Sequence, residues 1–309
     1  MSAMRLPGLK GRGVALALLM FTLFQSFFTT GIVFGWPSLL LILKNEGVYL
    51  NKCPAGTESC SSRDVAFNLV FTLASITNVI GAWVGGLIPS VKCSITCGLA
   101  FSMTGSLILA LSPASSELAW PLALALQGAA GGMIQLPTYC LGNAFGSGKG
   151  SVIAAFVALF CCAALTYQLM VLLYNAGWSR SEIFLSHAGL LVCFACVTCW
   201  VWPGPPIKVG DVLTCKGCRL RVENENDNQD ETATGTNKPA RGLCRKVLQG
   251  ACSFKYIAFL TFYIVELWFN RCLMGWFAPY LDWKDRLLTE RYGHGLDIEY
   301  HTGCFTILN

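Results

Sequence analysis

Six long windows of this chain contain no Asp, Glu, Lys or Arg: residues 13–43, 65–91, 93–116, 118–148, 150–179 and 183–207. Each exceeds the roughly 20 apolar residues that a helix needs to cross a bilayer. Inside hydrocarbon no water is available to backbone N–H and C=O groups, so such segments must satisfy them internally. The fold class that follows is all-α, a polytopic membrane helix bundle. Composition supports this: 54% of the 309 residues are hydrophobic and 13% are charged, against about 25% charged in a soluble domain. Disordered chains, nucleic-acid-binding domains and most cytosolic enzymes are thereby excluded. A formal charge of +5 is too diluted for a nucleic-acid footprint, and membrane lipid is the expected surrounding partner.

The first window, with Gly31, Gly35 and Pro37, is too long for one straight helix and predicts a tilted or locally broken one. A seventh span is expected over 255–281, interrupted by Glu266, Asn270 and Arg271. Arg5, Lys10 and Arg12 make residues 1–12 purely basic, which places the N-terminus in the cytoplasm. Lys92, Lys149 and the 203–254 loop, with eight Lys and Arg residues, then fall on the same side. That loop opens on Pro203-Gly204-Pro205-Pro206 and carries a polar run over 223–231. Too polar to bury its own core, it is expected to be a disordered or lipid-surface-bound cytoplasmic linker. Residues 13–202 would form a six-helix half and 282–309 a tail.

Eight of the sixteen cysteines (Cys93, Cys97, Cys140, Cys161, Cys162, Cys193, Cys196 and Cys199) lie in apolar windows, where cysteine packs as a small hydrophobe. Cys193, Cys196 and Cys199 have metal-like spacing but read better as a small-residue stripe. Cys53 and Cys60 sit in a polar loop and are candidates for a disulfide if that loop is extracytoplasmic. Cys215-Lys-Gly-Cys218 lacks the second pair of a zinc site, so a free or acylated thiol pair fits at least as well. No metal or cofactor is implied. Nor is an enzyme: there is no nucleotide loop, nucleophile elbow or pair of catalytic carboxylates, and Gly142-Asn-Ala-Phe-Gly-Ser-Gly-Lys149 reads as a tight turn.

Several blocks occur in a telling order: Gly31-Ile-Val-Phe-Gly-Trp-Pro-Ser-Leu39, Leu43-Lys-Asn-Glu-Gly47, Phe67-Asn-Leu-Val-Phe-Thr-Leu-Ala-Ser75 with Asn78, Gly142-Asn-Ala-Phe-Gly146, Leu172-Leu-Tyr174 and Glu266-Leu-Trp268. Together they resemble solute carrier family 43 of the major facilitator superfamily. The resemblance implies sodium-independent, bidirectional facilitated diffusion by alternating access. The solutes it implies are purine nucleobases or, as the runner-up, large neutral amino acids. Two departures stand out. Gly85-Gly-Leu-Ile-Pro-Ser-Val-Lys92 carries Pro89 and Ser90 where major facilitators usually place an Asp-Arg latch. The family has twelve helices, whereas this chain stops at Asn309, near the expected start of the eighth. A truncated product that transports nothing, or one that associates with further copies, is therefore the rival expectation.

A facilitator needs a midplane cavity with polar groups matched to its solute. Glu266 is the foremost candidate, because an unpaired carboxylate in an apolar span costs roughly 2.5–3.5 kcal/mol on insertion scales. Pairing with Asn270 or Arg271 is the structural alternative. Gln25, Asn78, Gln135 and Tyr139 are neutral candidates, with interhelical hydrogen bonds as their alternative. Gln135 and Tyr139 share a helix face, with Gly131 and Gly132 a turn earlier. Trp36 and Trp268 offer stacking platforms for a planar base or, in the blander reading, interfacial anchors. His187 is expected near the outer interface, solvated.

Overall fold

The computed structural model describes residues 9–55, 60–208, 211–216, 219–224 and 284; all but the last belong to one compact unit. Its elements are α1 (Leu9–Phe27), a 3-10 turn (Ile32–Gly35), α2 (Trp36–Asn45), α3 (Ser61–Leu87), α4 (Val91–Leu111), α5 (Ala119–Thr138), a 3-10 stretch (Tyr139–Gly148), α6 (Lys149–Cys162), α7 (Leu165–Asn175), α8 (Arg180–Val201) and a hairpin of β1 (Asp211–Lys216) with β2 (Arg219–Asn224). Among the described residues five apolar helical stretches are long enough to cross a membrane. The fourth, Ala119–Asn175, has 57 residues, which at 1.5 Å per residue would measure about 85 Å if straight. It doubles back instead: Tyr167 bonds to Gln127, and the chain between them bends at Gly146, whose φ of +52° suits glycine. Six passes result among the described residues. The chain is an all-α, multi-pass membrane bundle, with one small β-hairpin among the described residues.

Large apolar side chains face outward along whole helices, for instance Leu69, Ile76, Ile80, Trp83 and Leu87 on α3. Such a surface suits lipid rather than water. Between helices there is no hydrophobic drive in lipid, so close packing of small residues takes over. Gly81 and Gly85 of α3 press on Ala129 and Met133 of α5, and Gly128 and Gly132 of α5 press on Ala74 and Asn78 of α3. A Cβ at Gly81 would collide with the Ala129 carbonyl oxygen, one at Gly128 with that of Ala74, and one at Gly132 with that of Asn78. Gly31 and Gly35 likewise press on the backbone of Phe160 and Ala164.

One end of the bundle is tied by polar contacts. Cys53 and Cys60 are disulfide-bonded. Lys52 pairs with Glu117 at 3.2 Å, and Asn51 donates to the same carboxylate. Those two partners hold the exposed Glu117 carboxyl below the usual carboxylate range. Arg63 donates to the carbonyls of Val48 and Lys44, capping the end of α2. Arg180 donates to Leu109 O at 2.9 Å and Ser112 O at 2.8 Å, pairs with Glu46 at 3.4 Å and lies over the Trp120 ring. The opposite end is closed by apolar packing of Ala15, Val91, Leu141, Val152, Trp202, Ile207 and Leu213, with Asn143 donating to Ile207 O at 2.8 Å. Ser90, at the position of the missing charge latch, caps α4 by accepting from Cys93 N.

The start of the 203–254 loop departs from the expectation of disorder. Residues 211–216 pair antiparallel with residues 219–224, with Lys216 opposite Arg219. Leu213 is 1% exposed and lies in the apolar cluster that includes Ala15 and Ile207. The segment borrows its core from the bundle, which a composition argument about independent folding cannot register. The remainder of the loop, the seventh span and the tail lie outside the described residues.

Candidate functional site

One pass is broken near its middle and leans there on another. The first stops being α-helical after Phe27 and resumes at Trp36; the fifth stays right-handed helical through Ala163 and Ala164 but tightens there, Ala164 N–H donating to Cys161 O at 3.3 Å. Gly31 and Gly35 let the first pass rest on Phe160 and Ala164, so the break adjoins this tightened turn. The break frees backbone groups that hydrocarbon cannot satisfy. Thr166 Oγ1 donates to Phe27 O at 2.8 Å. His187 Nε2 lies 3.1 Å from Phe28 O. Thr29 and Thr30 hydroxyls turn back to Gln25 O and Ser26 O.

A carbonyl only accepts, so His187 Nε2 carries the proton in that bond. In the neutral ring Nδ1 then accepts, and Ser106 Oγ, 2.9 Å away, supplies the donor. Ser106 Oγ in turn accepts from Gln127 Nε2 at 3.1 Å. Gln127 Oε1 accepts from the Tyr167 hydroxyl. One directed chain thus runs Tyr167 to Gln127 to Ser106 to His187 to the Phe28 carbonyl, crossing α7, α5, α4 and α8 to the end of α1. All four side chains are buried. The Ser106 hydroxyl has a second acceptor, Ser102 O at 2.9 Å. Each link joins a different pair of helices, so the chain fixes their relative register at the depth of the break.

His187 is therefore not a solvated residue of the outer interface: it is 5% exposed and bonded through both ring nitrogens. Its position one turn and more inside α8 puts it level with the break in the first pass. Trp36 is neither an interfacial anchor nor an open platform. It is 4% exposed, stacked on Phe71 (6.0 Å, 22°) and edge-on to Phe67, because the break at Gly35 turns the first residue of α2 inward onto α3. Gln25 is fully buried; its Oε1 accepts from Thr198 at 2.9 Å, and its Nε2 has no partner among the described residues. Asn78 donates to Gly128 O at 3.1 Å. Gln135 Nε2 donates to Tyr139 Oη at 2.7 Å, and both side chains are half-buried. Gly131 and Gly132 do not open a groove beside them but are filled by the backbone of Thr30 and Asn78. Glu266 and Trp268 lie outside the described residues.

Gln127, Tyr167, Ser106 and Gln168, which accepts from Ser38 at 2.7 Å, were missed by sequence reasoning. Gln127, Tyr167 and Gln168 carry the same signal as Gln135: an amide or phenol inside a charge-free window. Between α2 and α7 lies a cavity of about 70 Å³, lined by Leu41, Ile42, Asn45, Val171, Tyr174 and Asn175. That admits a few waters and falls below the 300–1,000 Å³ or so of small-molecule pockets. In the described spans, charge is confined to the helix ends, at residues such as Lys44, Arg63, Lys92 and Arg180. The interior offers only neutral donors and acceptors.

No family profile matches the chain. It is 28% identical over 200 residues to the human large neutral amino acids transporter small subunit 3, covering 58% of this chain and 35% of that protein. It is 29% identical over 167 residues to the bovine equilibrative nucleobase transporter 1, covering 50% and 34%. It is 30% identical over 156 residues to the yeast protein FMP42, covering 48% and 31%. The chain is similar to membrane transporters. In each case the match spans about a third of the relative's own length.

Proposed function

We propose that this chain is a facilitative solute transporter of major facilitator type that carries purine nucleobases without sodium by alternating access. The observation carrying this reading is the broken first pass, seated on the tightened turn of the fifth and lined by neutral hydrogen-bonding groups. Discontinuous helices near the midplane are where transporters build solute sites. A purine edge presents ring nitrogens and exocyclic groups, and it asks for donors and acceptors rather than for charge. Gln25, with an unpartnered Nε2 one turn before the break, and the half-buried Gln135–Tyr139 pair are the groups we assign to it. Asn78, Glu266, Trp36 and Trp268 stay as candidates, Trp36 only in a state that parts α2 from α3. The N-terminus and the 203–224 end are taken as cytoplasmic, since the N-terminal segment and the short loops at that end carry only basic charge, as at Lys92 and Lys149, whereas the disulfide end mixes Lys44, Lys52, Arg63 and Arg180 with Glu46, Asp64, Glu117 and Glu182. The plasma membrane is the proposed location.

A second reading, transport of large neutral amino acids, is favoured by the longer match to the human amino acid transporter. Thermal unfolding of the purified chain separates the two. A ligand that binds the folded state at 100 times its Kd stabilises by about 2.7 kcal/mol. Adenine and hypoxanthine should raise the midpoint and leucine should not. A rise with leucine alone would move the assignment to amino acids. No rise with any of them would favour a protein that carries neither.

A further inference from the structure

We propose that Cys93 and Cys199 are S-acylation sites, each taking a long-chain fatty acyl group in thioester linkage at the cytoplasmic edge of the bilayer. This goes beyond transport and rests on the proposed reading only for the orientation of the bundle. Cys93 is the third residue of α4 and Cys199 lies two residues before the end of α8. At 1.5 Å per residue both are within about 3 Å of their helix ends. Both thiols are exposed. The two helices pack side by side, and Thr96 Oγ1 touches Cys199 Sγ at 3.7 Å, so both thiols occupy the same end of one helix pair. Beside them stand Lys92 and Trp200, the latter 70% exposed, a cation and an indole of the kind that marks a membrane–water boundary.

Depth separates these two from the other exposed cysteines. Cys161 and Cys162 sit near the centre of the fifth pass, which runs from Lys149 to Asn175. That is roughly 20 Å from either end, beyond reach of a donor whose headgroup stays in water. Cys193 and Cys196 lie about 12 Å and 8 Å above the end of α8. Cys53 and Cys60 are spent in their disulfide. Cysteines next to a membrane surface are the usual recipients of such groups. A chain attached at Cys93 or Cys199 points into lipid along a shallow surface, where Ala100 on α4 and Gly189 and Cys196 on α8 are small and exposed.

The chemistry is an exchange of thioesters. The Cys sulfur attacks the carbonyl carbon of an acyl-coenzyme A, the bond from that carbon to the coenzyme sulfur breaks, and coenzyme A leaves as the thiol with the proton that the cysteine gave up. No oxidant or reductant takes part.

The test uses the full chain expressed in eukaryotic cells. Free thiols are blocked with N-ethylmaleimide, thioesters are cleaved with hydroxylamine, and the released thiols are tagged with a polymer-bearing maleimide that shifts the band. The wild type should show hydroxylamine-dependent steps, with one lost in C93S, one in C199S and both in C93S/C199S. C161S/C162S should keep the wild-type pattern. Symmetrical elution of each variant from size exclusion establishes that it folds. Absence of any hydroxylamine-dependent step in the wild type would overturn the proposal, as would steps that survive in C93S/C199S and vanish in C215S/C218S. Labelling of hydroxylamine-treated Cys93 by an impermeant maleimide in intact cells would instead overturn the orientation, and with it the cytoplasmic placement.

Discussion

Two glycine-to-alanine substitutions, both inside helices, should move stability in opposite directions. Alanine is worth about 0.5–1 kcal/mol over glycine in a helix interior. At Gly189 in α8 an added Cβ meets nothing within 4 Å, so Gly189→Ala should stabilise by about that amount. At Gly132 in α5 the Cβ would land on the Asn78 carbonyl oxygen and the Ala82 amide nitrogen of α3, with Gly81 C at 3.0 Å. These are backbone atoms and cannot rotate away, so α3 and α5 must part. Overpacking of this kind costs about 1–3 kcal/mol. The helix-propensity gain offsets part of it, leaving a net loss of about 1–2 kcal/mol. At 2–4 °C per kcal/mol for a unit of this size, Gly189→Ala should raise the unfolding midpoint by about 1–4 °C and Gly132→Ala should lower it by about 2–8 °C. Fluorescence-detected size exclusion after heating in detergent reads both. The double variant Gly81→Ala/Gly132→Ala adds a sharper demand. Both positions wedge the same helix pair, so the second should cost less than the first. Shifts of the same sign at 132 and 189, or full additivity at 81 and 132, would refute the packing argument.

In the buried hydrogen-bond chain, Gln127→Leu leaves the Tyr167 hydroxyl without a partner and should cost about 1–3 kcal/mol, whereas Tyr167→Phe should cost about 0.6–1 kcal/mol; a double-mutant cycle on thermal midpoints should find the pair sub-additive. At the disulfide end, Arg180→Lys keeps the charge but loses the two-pronged donation to Leu109 and Ser112, so it should fail to rescue the loss of about 3 kcal/mol expected for Arg180→Ala. Burial, and then the Glu117 carboxylate, push the Tyr49 phenol up to about 12. Its contribution to stability is therefore complete below about pH 10, the ordinary tyrosine value, and is lost as pH rises through the folded value. Difference absorbance titration of wild type against Tyr49→Phe should place the missing ionisation near pH 12 rather than near 10.

The apolar windows were legible because charge is excluded from lipid regardless of tertiary detail, and the break in the first pass was legible because Gly31, Gly35 and Pro37 advertise it. The tightened turn of the fifth pass was not: Cys161, Cys162, Ala163 and Ala164 carry no helix-breaking residue, and the turn is seen only where Gly31 and Gly35 lean on that backbone. His187 was misplaced for a related reason. Its partners, Ser106 and the Phe28 carbonyl, are 81 and 159 positions away in sequence, and a lone histidine gives no sign of them. Leu213 shows the converse limit, since a polar loop can fold by lending one leucine to a core built by other segments. For the candidate site the sequence marked the residue types that bury polar atoms in a membrane. It could not distinguish Gln25, with an amide nitrogen to spare, from Asn78, whose side chain is committed to Gly128.

Alternating access requires that the neutral interior around the break in the first pass accept a solute and release it on the other side. The most direct measurement is uptake of radiolabelled adenine and leucine into proteoliposomes that contain only this purified chain. Saturable adenine uptake that is indifferent to sodium, competed by hypoxanthine and diminished by Gln25→Leu is the predicted result. Uptake of neither solute by a chain verified as folded would contradict it.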